Sequence, residues 1–175
     1  MKKSILTLLA LFAAIAVDAQ NAQVLNNLPH KVDNIEMVDL RNEPTKIPHY
    51  GEKNLLIFYI DPDKHKQNED FTNEMEEKHL ASGPNIEGFG VMNLKETMFP
   101  NGIVRSMARK RTEKNGATVI ADPDRRLAKR WGLGDCNNMF VLLVVSKEGE
   151  LVFCKKGELS KADQKEFYDF IQDYR

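Results

Sequence analysis

The sequence predicts an α/β fold in which helices flank both faces of a central mixed β-sheet and a C-terminal β-hairpin precedes a final helix. Three observations predict it. Residues 55–60 and 140–145 are apolar at every position, which is typical of strands buried on both faces of a sheet. Segments with helical spacing alternate with strands through the middle of the chain, which favours parallel strands covered by helices. A polar turn at residues 146–149 between two apolar runs indicates a hairpin.

The strands are predicted from short apolar segments bounded by residues that favour turns. In chain order they are residues 35–40, 45–47, 55–60, 86–94, 118–121, 140–145 and 151–154. With the helices between them, the predicted element order is ββ-β-α-β-α-β-α-β-β-α. No internal repeat interrupts this order, so one domain is expected.

Four helices are predicted from apolar side chains that recur every three to four residues. The side chains expected to face inward are Phe71, Met75, His79 and Leu80; Ile103, Val104, Met107 and Ala108; Leu127, Ala128 and Trp131; and Phe167, Phe170, Ile171 and Tyr174. Ser160 and Asp163 have the spacing of a capping box, which indicates where the last helix begins.

The N-terminus has the parts of a secretory signal peptide. Lys2 and Lys3 precede an apolar run over residues 5–17, and small residues before Gln20 fit a cleavage site. The alternative is a buried N-terminal helix. A run of about 13 apolar residues is too short to span a bilayer, so we expect a periplasmic protein with no membrane span. The predicted organisation is a signal peptide at residues 1–19, an N-terminal arm at residues 20–34 and a folded domain at residues 35–175.

The charge balance limits the expected partners. The chain has 25 Lys and Arg against 26 Asp and Glu, a net charge of −1. Removing residues 1–19 takes away two lysines and one aspartate and leaves −2. A nearly neutral protein has no overall attraction for nucleic acid or for an anionic membrane, so neither is an expected partner. Two helices are locally basic and an earlier one is acidic; we interpret these as solvated faces, with docking of an envelope partner as the alternative.

The predicted element order resembles that of the thioredoxin-like superfamily. Residues 54–59 resemble the strand that leads into the thioredoxin active site, residues 121–133 a strand and helix of peroxiredoxin and TlpA-type relatives, and residues 144–152 their terminal hairpin. Within the superfamily, residues 33–174 are most similar to the YtfJ-type periplasmic proteins. That likeness rests on Asn93 with Pro100, on residues 104–106 and on residues 156–160. It implies a fold and a compartment but no activity.

The resemblance also shows what this sequence lacks. Enzymes of the thioredoxin type need a thiolate at the N-terminus of the helix that follows the central strand. The resemblance aligns that motif with residues 63–66, whose ends are Asp63 and Lys66. It aligns the substrate-presenting cis-proline of the fold with Phe140, and no proline follows Pro123. We therefore expect a non-catalytic binding module rather than an enzyme.

The two cysteines leave a second function open. A hairpin register with Cys154 opposite Val141 puts Cys136 about 16 Å from Cys154 if the chain is extended. That distance is too long for a disulfide unless the loop at residues 132–138 folds back. We expect Cys154 to be a small core residue and Cys136 to be exposed in a loop. The alternative function is a thiol-dependent redox or peroxidase-like enzyme that uses Cys136.

A ligand site is expected where the parallel strands end, because their carboxyl ends meet at one edge of the sheet. We expect Asp63 and Asp124 to cap helices there, and the helix N-termini with neighbouring cations to favour an anionic group. The expected partner is an envelope protein or a small anionic ligand, with no cofactor. Alternatively, the four aspartates of the two Asp-Pro-Asp turns, with His65, could bind a metal cation. The candidate residues are Tyr59, Asp61, Asp63, Lys64, His65, Asn93, Asp122, Asp124 and Arg125.

Overall fold

A computed structural model describes residues 27–95 and 97–175, which form one mixed sheet with helices. The strands are β1 His30–Lys31, β2 Glu36–Val38, β3 Pro44–Lys46, β4 Asn54–Ile60, β5 Ile86–Asn93, β6 Val119–Asp122, β7 Phe140–Val145 and β8 Glu150–Lys156. The helices are α1 Glu69–Glu77, α2 Asn101–Asn115, α3 Arg126–Arg130 and α4 Lys161–Ile171, with a short 3₁₀ helix at Pro62–Lys64. None of the helices in these two ranges has the length and apolar character needed to cross a membrane. The predicted signal peptide lies outside the described residues.

The sheet is mixed, as predicted. Its strand order is β1-β8-β7-β4-β5-β6-β2-β3. The central strands β4, β5 and β6 are parallel to one another, whereas the remaining neighbours are antiparallel. The element order differs from the prediction by the additional strand β1 and the short 3₁₀ helix. The predicted fold class is therefore confirmed.

The centre of the sheet is buried on both faces. Every residue of β7 is buried, and in β4 alternate residues enter different cores. On one face, Leu127 and Trp131 from the region of α3 pack over the sheet. On the other, α1 and α4 contribute Phe71 and Phe167, whose ring centroids lie 5.6 Å apart. Helices thus cover both faces, which explains why the two central runs are apolar at every position.

The sheet begins within the predicted N-terminal arm. His30 pairs with Leu151 at the edge of β8, and Val32 is buried in the core. The N–H of Val32 donates to the carbonyl of Gly149 at 2.9 Å, and the Tyr50 hydroxyl donates to the carbonyl of Val32. A strand of two residues is too short to show a hydrophobic period, so the sequence did not reveal it. Residues 20–26 of the predicted arm lie outside the described residues.

The predicted hairpin register is wrong. Cys154 lies opposite Leu143 rather than opposite Val141, because the register shifts between Val144 and Val145. Such an irregularity puts an extra residue into one strand and displaces every later pair. Val145, which lies before the irregularity, already faces Leu151 and not Glu150, and this accounts for the other residue of the displacement.

The predicted inward face of α2 is also wrong. None of its residues is buried, and Ile103 and Met107 are among the exposed large apolar side chains. The helix lies against β6, a strand of only four residues. On the face of β5 opposite Phe89, Gly88 and Gly90 offer no side chains for a helix to pack against. The helix therefore has little apolar surface beneath it.

The helix α4 begins with the predicted capping box. The Ser160 hydroxyl accepts a hydrogen bond from the N–H of Asp163 at 3.1 Å, and the Asp163 carboxylate accepts one from the N–H of Ser160 at 2.9 Å. The Lys155 ammonium lies 2.9 Å from the same carboxylate. Hydrogen bonding from Ser160, followed by that from Lys155, lowers the pKa of Asp163 to about 2.

This pKa shift predicts an acid-dependent contribution to stability. An unfolded aspartate has a pKa of about 3.9, so the contribution is complete above about pH 4 and is lost as the pH falls towards 2. In Asp163→Asn, the free energy of unfolding, measured with urea, should therefore fall less steeply between pH 5 and pH 2 than in the parent chain. Ser160→Ala should show an intermediate slope. Equal slopes in all three proteins would contradict the assignment.

Candidate functional site

Three polar residues lie side by side where the parallel strands end. Ile60 pairs with Met92, so Asp61, which directly follows β4, lies beside Asn93, the last residue of β5, and Asn93 pairs with Asp122, the last residue of β6. All three polar side chains have 0% exposure. The structure thus brings these candidates together at one edge, but beneath the surface.

The Asp122 side chain stabilises the first turn of α3. Its carboxylate accepts hydrogen bonds from the N–H groups of Arg126 at 2.8 Å and Leu127 at 2.9 Å. It also accepts one from the Tyr59 hydroxyl at 3.2 Å. The expectation that Asp124 caps this helix is wrong, because Asp122 satisfies its first N–H groups while the exposed Asp124 pairs with the Arg126 guanidinium at 3.3 Å. Tyr59, a candidate ligand contact, is completely buried.

Asp61 has the corresponding role at the end of β4. Its carboxylate accepts hydrogen bonds from the N–H groups of Asp63 at 2.9 Å and Asn138 at 2.8 Å. Asp63, which was expected to be the cap, instead accepts from the Thr97 hydroxyl at 2.9 Å and from the N–H of Met98 at 3.2 Å. In both Asp-Pro-Asp turns the first aspartate is the cap. A buried carboxylate can bind several N–H groups at once, and only the first residue of each turn is buried.

The four aspartates do not form a cation site. The carboxylates of Asp61 and Asp122 are occupied by backbone N–H donors, and the strands that carry them are separated by β5. Within residues 27–95 and 97–175, no three His, Cys, Asp or Glu side chains are arranged to hold a metal ion. The arrangement therefore gives no support to a metal function built on these turns.

An open groove lies over the segment that follows β4. It has a volume of about 390 Å³ and is lined by Asp63, Lys64, His65, Lys66, Gln67, Asn68 and Glu158. Lys64, His65 and Lys66 are exposed. The His65 Nδ1 lies 2.9 Å from the carbonyl of Pro62. Because a carbonyl can only accept, Nδ1 carries a proton, and in the neutral ring Nε2 is then an acceptor.

Residues that the sequence did not single out complete the groove. The Asn68 side chain donates to the carbonyl of Gly157 at 2.9 Å and accepts from the N–H of Leu159 at 2.8 Å, which holds the segment after β8 beside the groove. Gln67 accepts a hydrogen bond from the N–H of Phe140 at 2.7 Å. The sequence contained one signal for these residues, namely the contribution of residues 156–160 to the family resemblance. The resemblance did not indicate that this segment lies beside the groove.

The backbone at Phe140 is engaged within the chain. Its N–H donates to Gln67, and its carbonyl accepts from the N–H of Gly157 at 2.7 Å. The resemblance aligns this position with the cis-proline that presents substrate backbone. Here both of its backbone polar groups have partners inside the protein.

Cys136 is buried, so the expectation of an exposed loop thiol is wrong. It is 2% exposed, because the loop before β7 folds back over it. The Lys156 ammonium donates to the carbonyls of Leu133 and of Asp135, and the Asn93 amide donates to the carbonyl of Cys136 at 3.4 Å. Burial raises the pKa of the Cys136 thiol to about 12, although Lys156 partly opposes the shift. The thiolate, which is the nucleophilic form, is therefore disfavoured at pH 7.

Cys154 is a core residue, as expected. It is 2% exposed and belongs to the same apolar cluster as Cys136. Burial raises the pKa of its thiol to about 11. The two cysteines are free. Neither thiol is positioned to meet a substrate at the surface.

The remaining candidates lie away from the groove. The amide oxygen of Asn93 is buried without a partner among the described residues, although its amide nitrogen is bonded. Arg125 occupies the N-cap position of α3 in a left-handed backbone conformation, with φ of 58°. The Arg126 guanidinium is directed to Glu36 on β2, at 3.4 Å, rather than to the groove. Of the candidate set, only Asp63, Lys64 and His65 line the groove.

Comparisons with solved structures agree on the architecture. An exposed lipoprotein thioredoxin of Streptococcus pneumoniae is 14% identical, covering 79% of this chain and 99% of that one, with a TM-score of 0.57. A DsbF homologue of Corynebacterium diphtheriae is 15% identical over 82% and 87% of the two chains, with a TM-score of 0.58. The chain has a thioredoxin-like fold. A peroxiredoxin-like protein of Aquifex aeolicus is similar at 14% identity, over 84% and 86%, with a TM-score of 0.57.

Comparisons of sequence add no family. No protein-family model matches the chain, and no curated protein matches it either. At identities of 14–15%, the structural neighbours establish this thioredoxin-like fold and leave its activity open.

The role of Asp122 predicts a contrast between neighbouring aspartates. Asp122→Ala removes one buried acceptor and leaves several buried donors without partners, so the free energy of unfolding should fall by about 2–4 kcal/mol. Asp124→Ala removes an exposed ion pair and should change it by less than about 1 kcal/mol. Urea unfolding followed by Trp131 fluorescence measures both. Equal losses would show that Asp122 is not the cap.

The burial of Cys136 predicts slow thiol chemistry. In the native protein neither cysteine should react readily with an aromatic disulfide reagent, whereas both should react after unfolding. Lys156→Met removes the hydrogen bonds that hold the loop over Cys136, so that thiol should react at least about tenfold faster. Lys155→Gln, one residue earlier on the same strand, is the matched control. Rapid reaction of the unmodified native protein would contradict this structure of the loop.

Proposed function

We propose that this chain is an exported, non-catalytic binding module of the periplasm that uses the groove beside the 3₁₀ helix. The observation that carries the proposal is the composition of the groove. Its wall is built from Lys64, His65 and Lys66, in the segment that the resemblance aligns with the dithiol motif. A surface used for thiol exchange in one branch of a fold can thus serve as a contact surface without a thiol in another.

The state of the cysteines supports a binding role over the redox alternative. Thiol exchange needs an accessible thiol with a lowered pKa, whereas burial raises the pKa of both thiols here. A thiol:disulfide interchange protein of Chlorobium tepidum is among the similar structures, at 13% identity, but that likeness extends to the fold alone. The finer likeness to YtfJ-type proteins and the periplasmic location rest on the sequence, because the predicted signal peptide lies outside the described residues.

The charges of the groove favour an anionic ligand. Lys64 and Lys66 form no ion pair within the described part of the chain, and they flank His65 in the wall of the groove. Asp63 and Glu158 also line the groove, and the Asp63 carboxylate already accepts hydrogen bonds from the Thr97 hydroxyl and from the N–H of Met98. A carboxylate or phosphate could accept hydrogen bonds from both lysines. The ligand class we propose is a small anion or an acidic segment of an envelope protein.

Titrations of the isotope-labelled chain test this proposal. Citrate and phosphate should cause saturable NMR shifts at residues 63–68 and 157–158, while Ca²⁺ should not. Lys64→Gln combined with Lys66→Gln should weaken citrate binding by at least about tenfold, because both charge-assisted hydrogen bonds are lost. Lys161→Gln combined with Lys165→Gln changes the net charge equally on α4 and should leave binding unchanged.

Two outcomes would contradict the proposal. Shifts confined to the opposite edge of the sheet, where a cavity of about 350 Å³ is lined by Lys53, Lys147 and Arg175 among others, would place the site elsewhere. Reduction of insulin disulfides above a buffer control would contradict a non-catalytic role, and loss of that reduction in Cys136→Ser would assign the activity to this thiol.

A further inference from the structure

The exposed apolar surface of the described residues is concentrated in one short stretch. Four large apolar side chains are exposed, namely Met98 at 88%, Phe99 at 60%, Ile103 at 54% and Met107 at 68%. No other large apolar side chain in residues 27–95 and 97–175 is exposed to this degree. Single exposed apolar residues are ordinary, but four within ten residues form a patch.

The patch has helical order. Ile103 and Met107 are four residues apart and so lie on one side of α2, while Met98 and Phe99 belong to the turn that leads into the helix. The N–H groups of Ile103 and Val104 bond to the carbonyl of Pro100, so the helical hydrogen bonding reaches back to that turn. We name the four exposed residues the apolar stripe. None of the residues of α2 is buried, so the stripe lies on an outward ridge and not in a groove.

The same helix is strongly basic. It carries five cationic residues against Glu113, a local charge of +4 on a protein with a net charge of −1. The cations are Arg105, Arg109, Lys110, Arg111 and Lys114. Within the part of the chain that the structure describes, none of them forms an ion pair. Lys110, Arg111 and Lys114 follow Met107 by three, four and seven residues, so they continue the stripe along the helix.

We propose that α2 is an interfacial helix that docks the protein on the surface of an anionic lipid bilayer. The apolar stripe would enter the boundary between headgroups and acyl chains, and the adjoining cations would contact lipid phosphates. Proteins bind the surface of anionic bilayers when inserted apolar side chains adjoin clustered Lys and Arg residues that contact the headgroups. The long stems of these cations allow their charges to reach the headgroups while Ile103 and Met107 are inserted.

A second copy of the chain fits this surface less well. A two-fold contact through the stripe would place two helices of charge +4 against each other. The acidic helix α1 of a second copy has the opposite charge, but its apolar residues Phe71 and Met75 are already buried in its own core. It therefore has no apolar surface to cover the stripe.

A bound acidic peptide also fits less well. Amphipathic peptides are recognised in grooves, which surround their apolar side chains. The stripe is an outward ridge on a helix without buried residues, and a ridge of this kind suits a flat and deformable surface better. The overall charge of the protein gives no general attraction to membranes, so the docking would be confined to this helix.

Co-sedimentation of residues 20–175 with lipid vesicles tests the proposal. The protein should bind vesicles of phosphatidylcholine with phosphatidylglycerol, and bind much less to phosphatidylcholine alone or at raised salt. Ile103→Ser with Met107→Ser should reduce binding at least about tenfold. Lys110→Gln with Arg111→Gln should reduce it about fivefold for each charge. Lys161→Gln with Lys165→Gln on α4 should bind as the parent chain does, and unchanged circular dichroism would show that all variants fold.

Three results would overturn the proposal. Equal binding to both kinds of vesicle would show that the cations of α2 do not contribute to binding. No vesicle binding, together with a concentration-dependent dimer that Ile103→Ser with Met107→Ser abolishes, would assign the stripe to a second copy. No vesicle binding, together with saturable shifts at residues 103–111 on adding a synthetic acidic amphipathic peptide, would assign it to a protein partner.

Discussion

The pairing of β4 with β7 is the constraint on which the rest of the structure depends. Both strands lie in the middle of the sheet, and their side chains enter the cores on its two faces. Apolar side chains on both faces require helices on both faces, since an uncovered face would leave them in water. α1 and α4 cover one face and α3 the other. The connections between these layers must cross the edge where β4, β5 and β6 end, and the candidate groove lies there.

That crossing explains the buried aspartates. A chain that turns from a buried strand into a helix leaves backbone N–H groups that need acceptors away from water. Asp61 and Asp122 supply those acceptors from below the surface. The sequence indicated both turns but not which aspartate of each pair is the cap, because the two residues differ only in burial. Burial depends on the packing of the whole edge, and a local motif does not contain that information.

The fold was predictable from particular segments, whereas the state of Cys136 was not. Residues 140–145 predict a central strand because the run is short, apolar at every position and rich in Val. Cys136 lies among glycine, aspartate and asparagine, a composition typical of exposed loops. Its burial comes from Lys156, 20 positions later in the chain, whose ammonium holds the carbonyls of the loop. Hydrogen bonds between residues far apart in the chain determine whether a loop of this kind is buried. The hydrophobic period of a sequence does not reveal those bonds.

The helix α2 shows a second limit on what a sequence pattern can predict. An apolar period establishes that a helix has an apolar side, but it does not establish what that side contacts. In α4 the period faces the core, whereas in α2 Ile103 and Met107 are exposed and none of the helix residues is buried. The net charge of a chain likewise does not describe its local surfaces, because a total charge of −1 includes a helix with a local charge of +4. Function in this protein is therefore to be sought in local surfaces, since its thiols are buried and its overall charge is nearly balanced.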